Sequence, residues 1–358
     1  MKVRLVIVML MMALTSLAQT KTENIILITY DGLRWQEVFT GADSSFMKQQ
    51  SHLKDPKLKE KFWNDNLSER RKLLFPFLWS TVVAQGQIYG NRTSGNKVNV
   101  TNNQWFSYPG YNELLTGKAD NERIHSNDKF YNPNVTVLEF FNEQVTLKGK
   151  VAAYTSWDVF SFIINDKRSG INVNAGLTLA KGVKLSEKEQ TMNQLMPVLP
   201  NPLGDVRLDA FTFQYGFEYL KKNKPKVMYF SFDETDDFAH GGEYGAYLNS
   251  ARNTDGFIAE LWKYIQSDTQ YKNKTTLIIT CDHGRGANAE EWKSHGSDIK
   301  GSDQMWLAVI GPDTVAKGEL INDGQVYQNQ IAKTMAALLG LKYDVAGAGE
   351  VITGVIKK

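Results

Sequence analysis

The chain has 358 residues, of which 42% are hydrophobic and 22% are charged, and its formal net charge is only +2. A chain of this length and composition can bury a sizeable core, which excludes the disordered and fibrous classes. Basic residues are dispersed, and the short basic run between Lys221 and Lys226 is typical of a solvated loop, so we expect no nucleic-acid or anionic-membrane surface. The single cysteine, Cys281, excludes an intramolecular disulfide.

The first residues are typical of a secretory signal peptide. A lysine and an arginine precede an apolar run from Leu5 to Leu14, and the small residues Ser16 and Ala18 suit a signal peptidase. A transmembrane anchor is the alternative, but the run is well below the roughly twenty residues that a membrane span requires. We therefore predict that residues 1–18 are removed and that residues 19–358 are exported, to the periplasm or the medium.

Short, nearly unbroken apolar runs recur along the chain and predict strands that are covered on both faces. These runs are Ile25–Tyr30, Val151–Thr155, Val227–Phe232, Thr276–Thr280 and Trp306–Ile310. Helical patterns lie between and after them, at Asn249–Ser267 and Val326–Leu339. The alternation predicts an α/β fold with a mostly parallel central sheet sandwiched by helices.

Two stretches interrupt this alternation. Residues 44–70 are rich in charge, and residues 160–209 contain three prolines. We predict a single domain in which both stretches are insertions over the sheet edge, the second being a cap that selects the substrate. A separate second domain is the alternative.

Carboxylates and imidazoles collect where the predicted strands end. They follow the first, third and fourth apolar runs and precede the fifth, at Asp31, Asp236, His240, Asp282, His283 and His295. In open α/β sheets, functional groups gather beyond the carboxyl ends of the strands. Three carboxylates and three imidazoles form a mixed oxygen and nitrogen set that suits zinc or manganese, so we predict a metal site.

A candidate nucleophile precedes a predicted helix. Ser107 stands just before Pro109, which can open a helix, while Leu114 and Leu115 can pack that helix inward. A helix N-terminus favours an anion such as a phosphoryl group. A serine hydroxyl is a poor nucleophile at neutral pH, but coordination to a divalent metal favours its alkoxide. The alternative is an ordinary helix cap.

Together these residues resemble the alkaline phosphatase superfamily, most closely its nucleotide pyrophosphatase/phosphodiesterase branch. The resemblance extends over nearly the whole mature chain. The matching motifs are Ser107-Tyr108-Pro109, Thr116-Gly117, Asp236 with His240, Asp282-His283-Gly284 and His295-Gly296. Their order, spacing and strand context agree with the pattern of that branch.

The resemblance implies an exported hydrolase of small phosphoric esters that holds two divalent ions, most consistent with zinc and alternatively manganese. It assigns one ion to Asp236, His240 and His295. It assigns the other ion to Asp31, Asp282, His283 and the oxygen of Ser107. Ser107 would attack phosphorus in line and form a phosphoseryl intermediate, which water then hydrolyses.

Two departures from the family pattern concern the substrate. Many diesterases of the branch place an Asn where this chain has Gly110, and Asn127 is the candidate substitute, with Asp128 as the alternative. The pair Lys167 and Arg168 loosely resembles the Lys-x-Arg of secreted phosphomonoesterases, although an exposed basic pair is the alternative. On these residues we expect phosphomonoesters to be preferred, but the monoester or diester preference depends on loop geometry more than on motifs.

Other functions fit the sequence less well. A sulfatase nucleophile lies in Cys/Ser-x-Pro-x-Arg, but Tyr111 occupies the arginine position here, and sulfatases use one calcium with oxygen ligands. A phosphoglycerate-mutase-like activity requires a cytoplasmic substrate that an exported protein does not meet. A non-catalytic metal-containing binding protein remains an alternative of another class, although every expected ligand position is filled.

Overall fold

The computed structural model describes residues 21–48 and 54–357, so the predicted signal peptide at 1–18 lies outside the described residues. The strands of this part of the chain are β1 (Asn24–Tyr30), β2 (Gln87–Tyr89), β3 (Asn96–Asn99), β4 (Val151–Thr155), β5 (Asn172–Ala175), β6 (Val227–Phe232), β7 (Thr275–Cys281), β8 (Gln304–Met305), β9 (Leu307–Ile310), β10 (Gly318–Glu319) and β11 (Gly324–Tyr327).

The α-helices are α1 (Trp35–Thr40), α2 (Leu58–Phe62), α3 (Leu67–Leu74), α4 (Ser107–Thr116), α5 (Val137–Glu143), α6 (Phe160–Ile163), α7 (Asp166–Ser169), α8 (Glu187–Leu195), α9 (Asp209–Asn223), α10 (Glu234–His240), α11 (Tyr244–Ser267) and α12 (Ile331–Leu338). A π-helix spans Leu78–Val83, and short 3-10 helices span Phe46–Lys48, Arg92–Ser94, Glu291–Lys293 and Gln328–Gln330. Among the described residues, no helix combines the length and the apolar character that crossing a membrane requires.

The central sheet has eight strands in the order β10-β2-β9-β7-β1-β6-β4-β5. Within it, β9 runs antiparallel to β2 and β7, and the other pairings are parallel. Every residue of β1, β6 and β7 is buried, so both faces of the sheet are covered there. The predicted fold, a mostly parallel sheet flanked by helices, is confirmed.

The strand register explains why acidic residues meet at one edge. Tyr30 at the end of β1 pairs with Phe232 at the end of β6 and with Cys281 at the end of β7. The residues that follow these three, all aspartates, therefore leave the sheet side by side. Helix α10 begins two residues after the end of β6. Because Asp236 and His240 are four residues apart in this helix, both side chains lie on one face of it.

The two predicted insertions have different structures. The described part of 44–70 consists of a 3-10 helix followed by α2 and α3. The stretch 160–209 holds α6, α7, β5 and α8, and β5 pairs with β4 as an edge strand of the central sheet. The second stretch therefore contributes an edge strand to the central sheet.

The predicted helix at Val326–Leu339 is wrong in its first part. Residues Gly324–Tyr327 form β11, which pairs with β3 in a second sheet of three strands, β11-β3-β8. The helix α12 begins only at Ile331. Val326 is apolar because it packs in this small sheet, a long-range contact that the helical spacing does not reveal.

Candidate active site

The candidate nucleophile lies at the first residue of α4, as predicted. Phe106 precedes it in an extended conformation, and Gly117 ends the helix with a φ of 77°. This positive φ is readily adopted by glycine, which explains the Thr-Gly at the end of the motif. Ser107 is buried, with 5% of its surface exposed.

The Ser107 hydroxyl contacts groups from two different strand ends. Its Oγ lies 3.3 Å from His283 Nε2 and 3.4 Å from Asp31 Oδ1. His283 Nε2 is in turn 3.3 Å from Asp31 Oδ1 and 3.4 Å from Asp282 Oδ2. On the other side of the ring, His283 Nδ1 lies 2.8 Å from the Gly284 carbonyl, to which it donates, so Nε2 turns its lone pair toward these oxygens.

A second cluster joins α10 to the segment before β8. His240 Nε2 lies 2.9 Å from His295 Nε2 and 3.1 Å from Asp236 Oδ2. His295 Nε2 lies 3.6 Å from Asp236 Oδ1. Helix α10 therefore meets a histidine that is distant in the sequence.

Burial determines the charge of these groups. It lowers the pKa of His283 to about 4 and, together with the nearby His283, that of His295 to about 2, so both imidazoles are neutral at pH 7. Burial also raises the pKa of Asp31 and Asp282 well above the usual range, and neighbouring carboxylates add to the effect. A bound cation would relieve both the desolvation and the repulsion.

The two clusters fit two divalent ions. Asp31, Asp236 and His283 form one set of mutually close donor atoms, and Asp236, His240 and His295 form another, each within 4.8 Å. In the described chain, the buried atoms Asp282 Oδ2 and His295 Nδ1 have no hydrogen-bond partner. Carboxylates and neutral imidazoles such as those of His283 and His295 are the donors that zinc and manganese bind.

This grouping differs in one respect from the prediction. The structure brings the predicted ligand residues together, and Ser107 lies beside Asp31 and His283. However, Asp236 belongs to both sets of close donor atoms, whereas the family resemblance assigned it to one ion only. Asp282 belongs to neither of these two sets, although its Oδ2 lies 3.4 Å from His283 Nε2.

Asn127 lies beside the start of α4. Its Oδ1 accepts a hydrogen bond from the backbone amide of Tyr108, at 2.9 Å, and its side chain is exposed. The alternative residue, Asp128, instead bonds to Ser126. Of the two candidates, the structure therefore places Asn127 next to Ser107.

The pair Lys167 and Arg168 is engaged elsewhere. Arg168 donates to both carboxylate oxygens of Glu139, at 2.7 and 2.8 Å, and to the carbonyls of Asn132 and Asn134. The Lys167 ammonium lies over the ring of Tyr131, 4.5 Å from its centroid. The guanidinium of Arg168 thus anchors α5 and its preceding loop, and the structure gives no support to a phosphate contact.

The sequence did not predict two of the residues that lie at the site, Tyr111 and Arg285. The Tyr111 hydroxyl donates to Asp31 Oδ2 at 2.9 Å, although the sequence identified Tyr111 only as a departure from the sulfatase motif. Arg285 is buried and donates to Asp236 Oδ1. Its position directly after Asp282-His283-Gly284 is the one available signal. Although burial opposes it, the Arg285 guanidinium holds the pKa of Asp236 well below its usual range.

Comparisons with solved structures agree with this architecture. The chain is similar to wild-type alkaline phosphatase PafA, with a TM-score of 0.57 and 11% identity over 94% of this chain and 99% of that chain. It is similar to murine ectonucleotide pyrophosphatase/phosphodiesterase 5, with a TM-score of 0.55 and 12% identity over 91% of this chain and 97% of that chain. An alkaline phosphatase superfamily protein from Vibrio parahaemolyticus gives a TM-score of 0.52 and 14% identity, covering 94% and 70% of the two chains.

A search of curated proteins found no match to the sequence. A sequence model of the family described as type I phosphodiesterase/nucleotide pyrophosphatase matches residues 40–299, well over half of the 358 residues. The matched region includes Ser107 and every candidate metal ligand except Asp31, which precedes it. The chain therefore belongs to the type I phosphodiesterase/nucleotide pyrophosphatase family of metal-dependent phosphoester hydrolases.

Proposed function

We propose that this protein is an exported phosphodiesterase that uses Ser107 as its nucleophile and holds two transition-metal ions, zinc or manganese. The observation that carries the proposal is the position of the Ser107 hydroxyl. It lies at the start of α4 and within 3.4 Å of both Asp31 and His283, two residues of a donor set that fits a cation. A serine in this setting is a nucleophile that a metal can activate.

In this proposal the reaction proceeds in two steps. Ser107 Oγ loses its proton and forms a bond to phosphorus as the leaving-group oxygen departs and takes up a proton. Water then attacks phosphorus, which breaks the bond to Ser107 Oγ, returns a proton to the serine and releases the phosphate monoester. Divalent ions would be held by the two donor sets described above, and they would supply Lewis-acid stabilisation of the serine oxygen and of the charge on the phosphoryl oxygens. Because Asn127 Oδ1 is held by the Tyr108 amide, its Nδ2 is left to donate to a phosphate oxygen at the exposed side of the site.

The charged residues around Lys129, which follows Asn127 by two positions in the chain, favour a diester. The Lys129 ammonium lies 2.6 Å from Asp158 Oδ2 and 3.5 Å from Asp205 Oδ2, and we call these three residues the rim cluster. Two carboxylates and one ammonium sum to a charge of −1. A terminal phosphate dianion would be repelled more strongly than a diester monoanion. Since Arg168 is bonded to Glu139, we propose a preference for diesters in place of the preference for monoesters expected from the sequence.

The experiment that tests the proposal compares turnover of bis-p-nitrophenyl phosphate, p-nitrophenyl phosphate and p-nitrophenyl sulfate by the zinc-loaded protein. The diester should be hydrolysed with the highest kcat/KM. Ser107→Ala should retain less than roughly a tenth of the activity, since removing a nucleophile costs far more than that. Ser80→Ala, which removes an exposed hydroxyl, is the matched control and should remain fully active. Sulfate as the best substrate would restore the sulfatase alternative.

The rim cluster has its own test. Asp158→Asn removes one negative charge beside Lys129 and should raise monoester kcat/KM relative to diester kcat/KM by about fivefold, which corresponds to about 1 kcal/mol of Coulomb energy. Asp344→Asn, whose carboxylate pairs with Lys342, is the control for a change of net charge. Equal changes in both variants would show that the rim cluster does not select the substrate.

A further inference from the structure

A buried arginine connects the two halves of the second cluster. Arg285 is 1% exposed, and its Nε donates to the Trp292 carbonyl at 2.8 Å. Its Nη2 donates to the Lys293 carbonyl at 2.6 Å, and its Nη1 donates to Asp236 Oδ1. The two carbonyls belong to the segment that leads to His295. A single guanidinium therefore bonds both to Asp236 and to the backbone that carries His295.

The surrounding backbone leaves room for this contact. Gly32, directly after Asp31, has a φ of 57°, and a Cβ there would lie 2.6 Å from Asp236 Oδ1 and 2.8 Å from Arg285 Nη1. Burying a guanidinium is costly unless its donors are satisfied, and the planar fork of arginine makes such a set of directed bonds possible. The glycine thus permits an interaction that any larger residue would displace.

Arg285 also affects how Asp236 can bind a metal. Asp236 belongs to both sets of close donor atoms, so by itself it can serve either ion or bridge them. Arg285 donates to Oδ1, which leaves Oδ2, 3.1 Å from His240 Nε2, as the carboxylate oxygen without a guanidinium contact. The carboxylate is thereby turned toward the His240 side.

We propose that Arg285 is a positioning residue of the metal centre: it restricts Asp236 to one-oxygen ligation of the ion held with His240 and His295, and it fixes His295 relative to Asp236. This role rests on the proposed function, because it requires that the centre bind two ions. Partners that orient a metal ligand in this way are typically worth a factor of about 10–100 in metal affinity.

Arg34 provides a matched control. It is likewise 1% exposed, and it donates to the Gly286 carbonyl, in the same connection between β7 and β8, at 3.0 Å and to the Glu37 carboxylate. Within residues 21–48 and 54–357, the Arg34 side chain donates to no candidate metal ligand. Replacing Arg34 therefore removes a buried guanidinium from the same region without touching Asp236.

The experiment titrates the metal-free protein with zinc in competition with a chromophoric chelator, for wild type, Arg285→Gln, Arg285→Lys and Arg34→Gln. Arg285→Gln should weaken one of two zinc sites by about 10–100-fold, and Arg285→Lys, which keeps the charge but not the three directed bonds, should weaken it less. Arg34→Gln should lower the urea midpoint while both zinc affinities stay within about threefold of wild type. If Arg285→Gln does not fold, the zinc affinities of Arg285→Lys and Arg34→Gln are compared instead, and a weaker site in Arg285→Lys alone supports the positioning role.

Two outcomes overturn the inference separately from the proposed function. If wild type binds two zinc ions and the Arg285 variants bind them with unchanged affinity, or weaken no more than Arg34→Gln, then Arg285 is only structural. If wild type binds fewer than two transition-metal ions, the proposed two-metal function fails, and the role of Arg285 fails with it.

Discussion

Replacing Glu113 with alanine should loosen the segment that leads to Ser107. The buried carboxylate of Glu113 accepts from the Thr101 amide at 2.8 and 3.0 Å, and from the Asn102 amide at 2.7 Å. It also accepts from the side chains of Thr101 and Asn102, at 3.0 and 2.8 Å. The Asn102 Oδ1 in turn holds the Trp105 amide at 3.0 Å, where the backbone has a φ of 57°. This anchor determines how the chain enters α4.

The expected loss of stability follows from the hydrogen-bond donors of Thr101 and Asn102, which lose their acceptor when Glu113 is replaced. A hydrogen bond to a charged group contributes about 1.5–3 kcal/mol, and removing one partner of a buried charged network costs about 3–5 kcal/mol. We therefore expect Glu113→Ala to lower the free energy of unfolding by about 3–5 kcal/mol. Glu113→Gln keeps the shape and one acceptor oxygen, so it should cost about 1–3 kcal/mol. A displacement of Ser107 by about 1 Å would reduce kcat by about 100-fold.

Urea unfolding followed by circular dichroism measures the stability change, and diester kinetics well below the unfolding midpoint measure the effect on Ser107. Glu122→Ala, which removes an exposed carboxylate from the loop after α4, is the control and should change neither quantity appreciably. If Glu113→Ala cost less than about 1 kcal/mol, or left kcat unchanged in the folded protein, the segment would not depend on this anchor.

Four further measurements test the site and its surroundings. The purified protein should contain two transition-metal ions per chain by elemental analysis and lose activity to chelators, whereas a single calcium would support a sulfatase. Tyr111→Phe removes the donor to Asp31 and should weaken zinc binding by about tenfold, the equivalent of one hydrogen bond to a charged group; unchanged binding would contradict this contact. Arg168→Ala should change monoester and diester kcat/KM by the same factor, and a selective loss on monoesters would restore its predicted phosphate contact. Burial raises the pKa of Asp255 from 3.8 to about 6, so its contribution to stability is full below about pH 4 and is lost as the pH rises through about 6. Relative to Asp255→Asn, wild type should therefore lose up to about 3 kcal/mol of unfolding free energy over that interval, and parallel pH profiles would refute the shift.

The local sequence was sufficient to predict the parallel core and the position of its chemistry. The five apolar runs coincide with β1, β4, β6, β7 and β9 to within one residue at each end. A strand covered on both faces must be apolar along its length, whichever strands lie beside it. For the same reason the polar residues that follow such strands stand out, and parallel strands bring their carboxyl ends to one edge. The helix that begins at Ser107 and ends before Gly117 is likewise encoded by its own proline and glycine.

The tertiary structure alone decided which side chains meet. Arg168 bonds to Glu139, Val326 joins a small sheet instead of a helix, and Arg285 donates to Asp236. In each case the partner is distant in the sequence, and the direction of a long side chain depends on what packs around it. The local spacing of residues predicts the backbone conformation. The hydrogen-bond partners of an arginine, however, are the carboxylates and carbonyls that only the folded chain brings close to it.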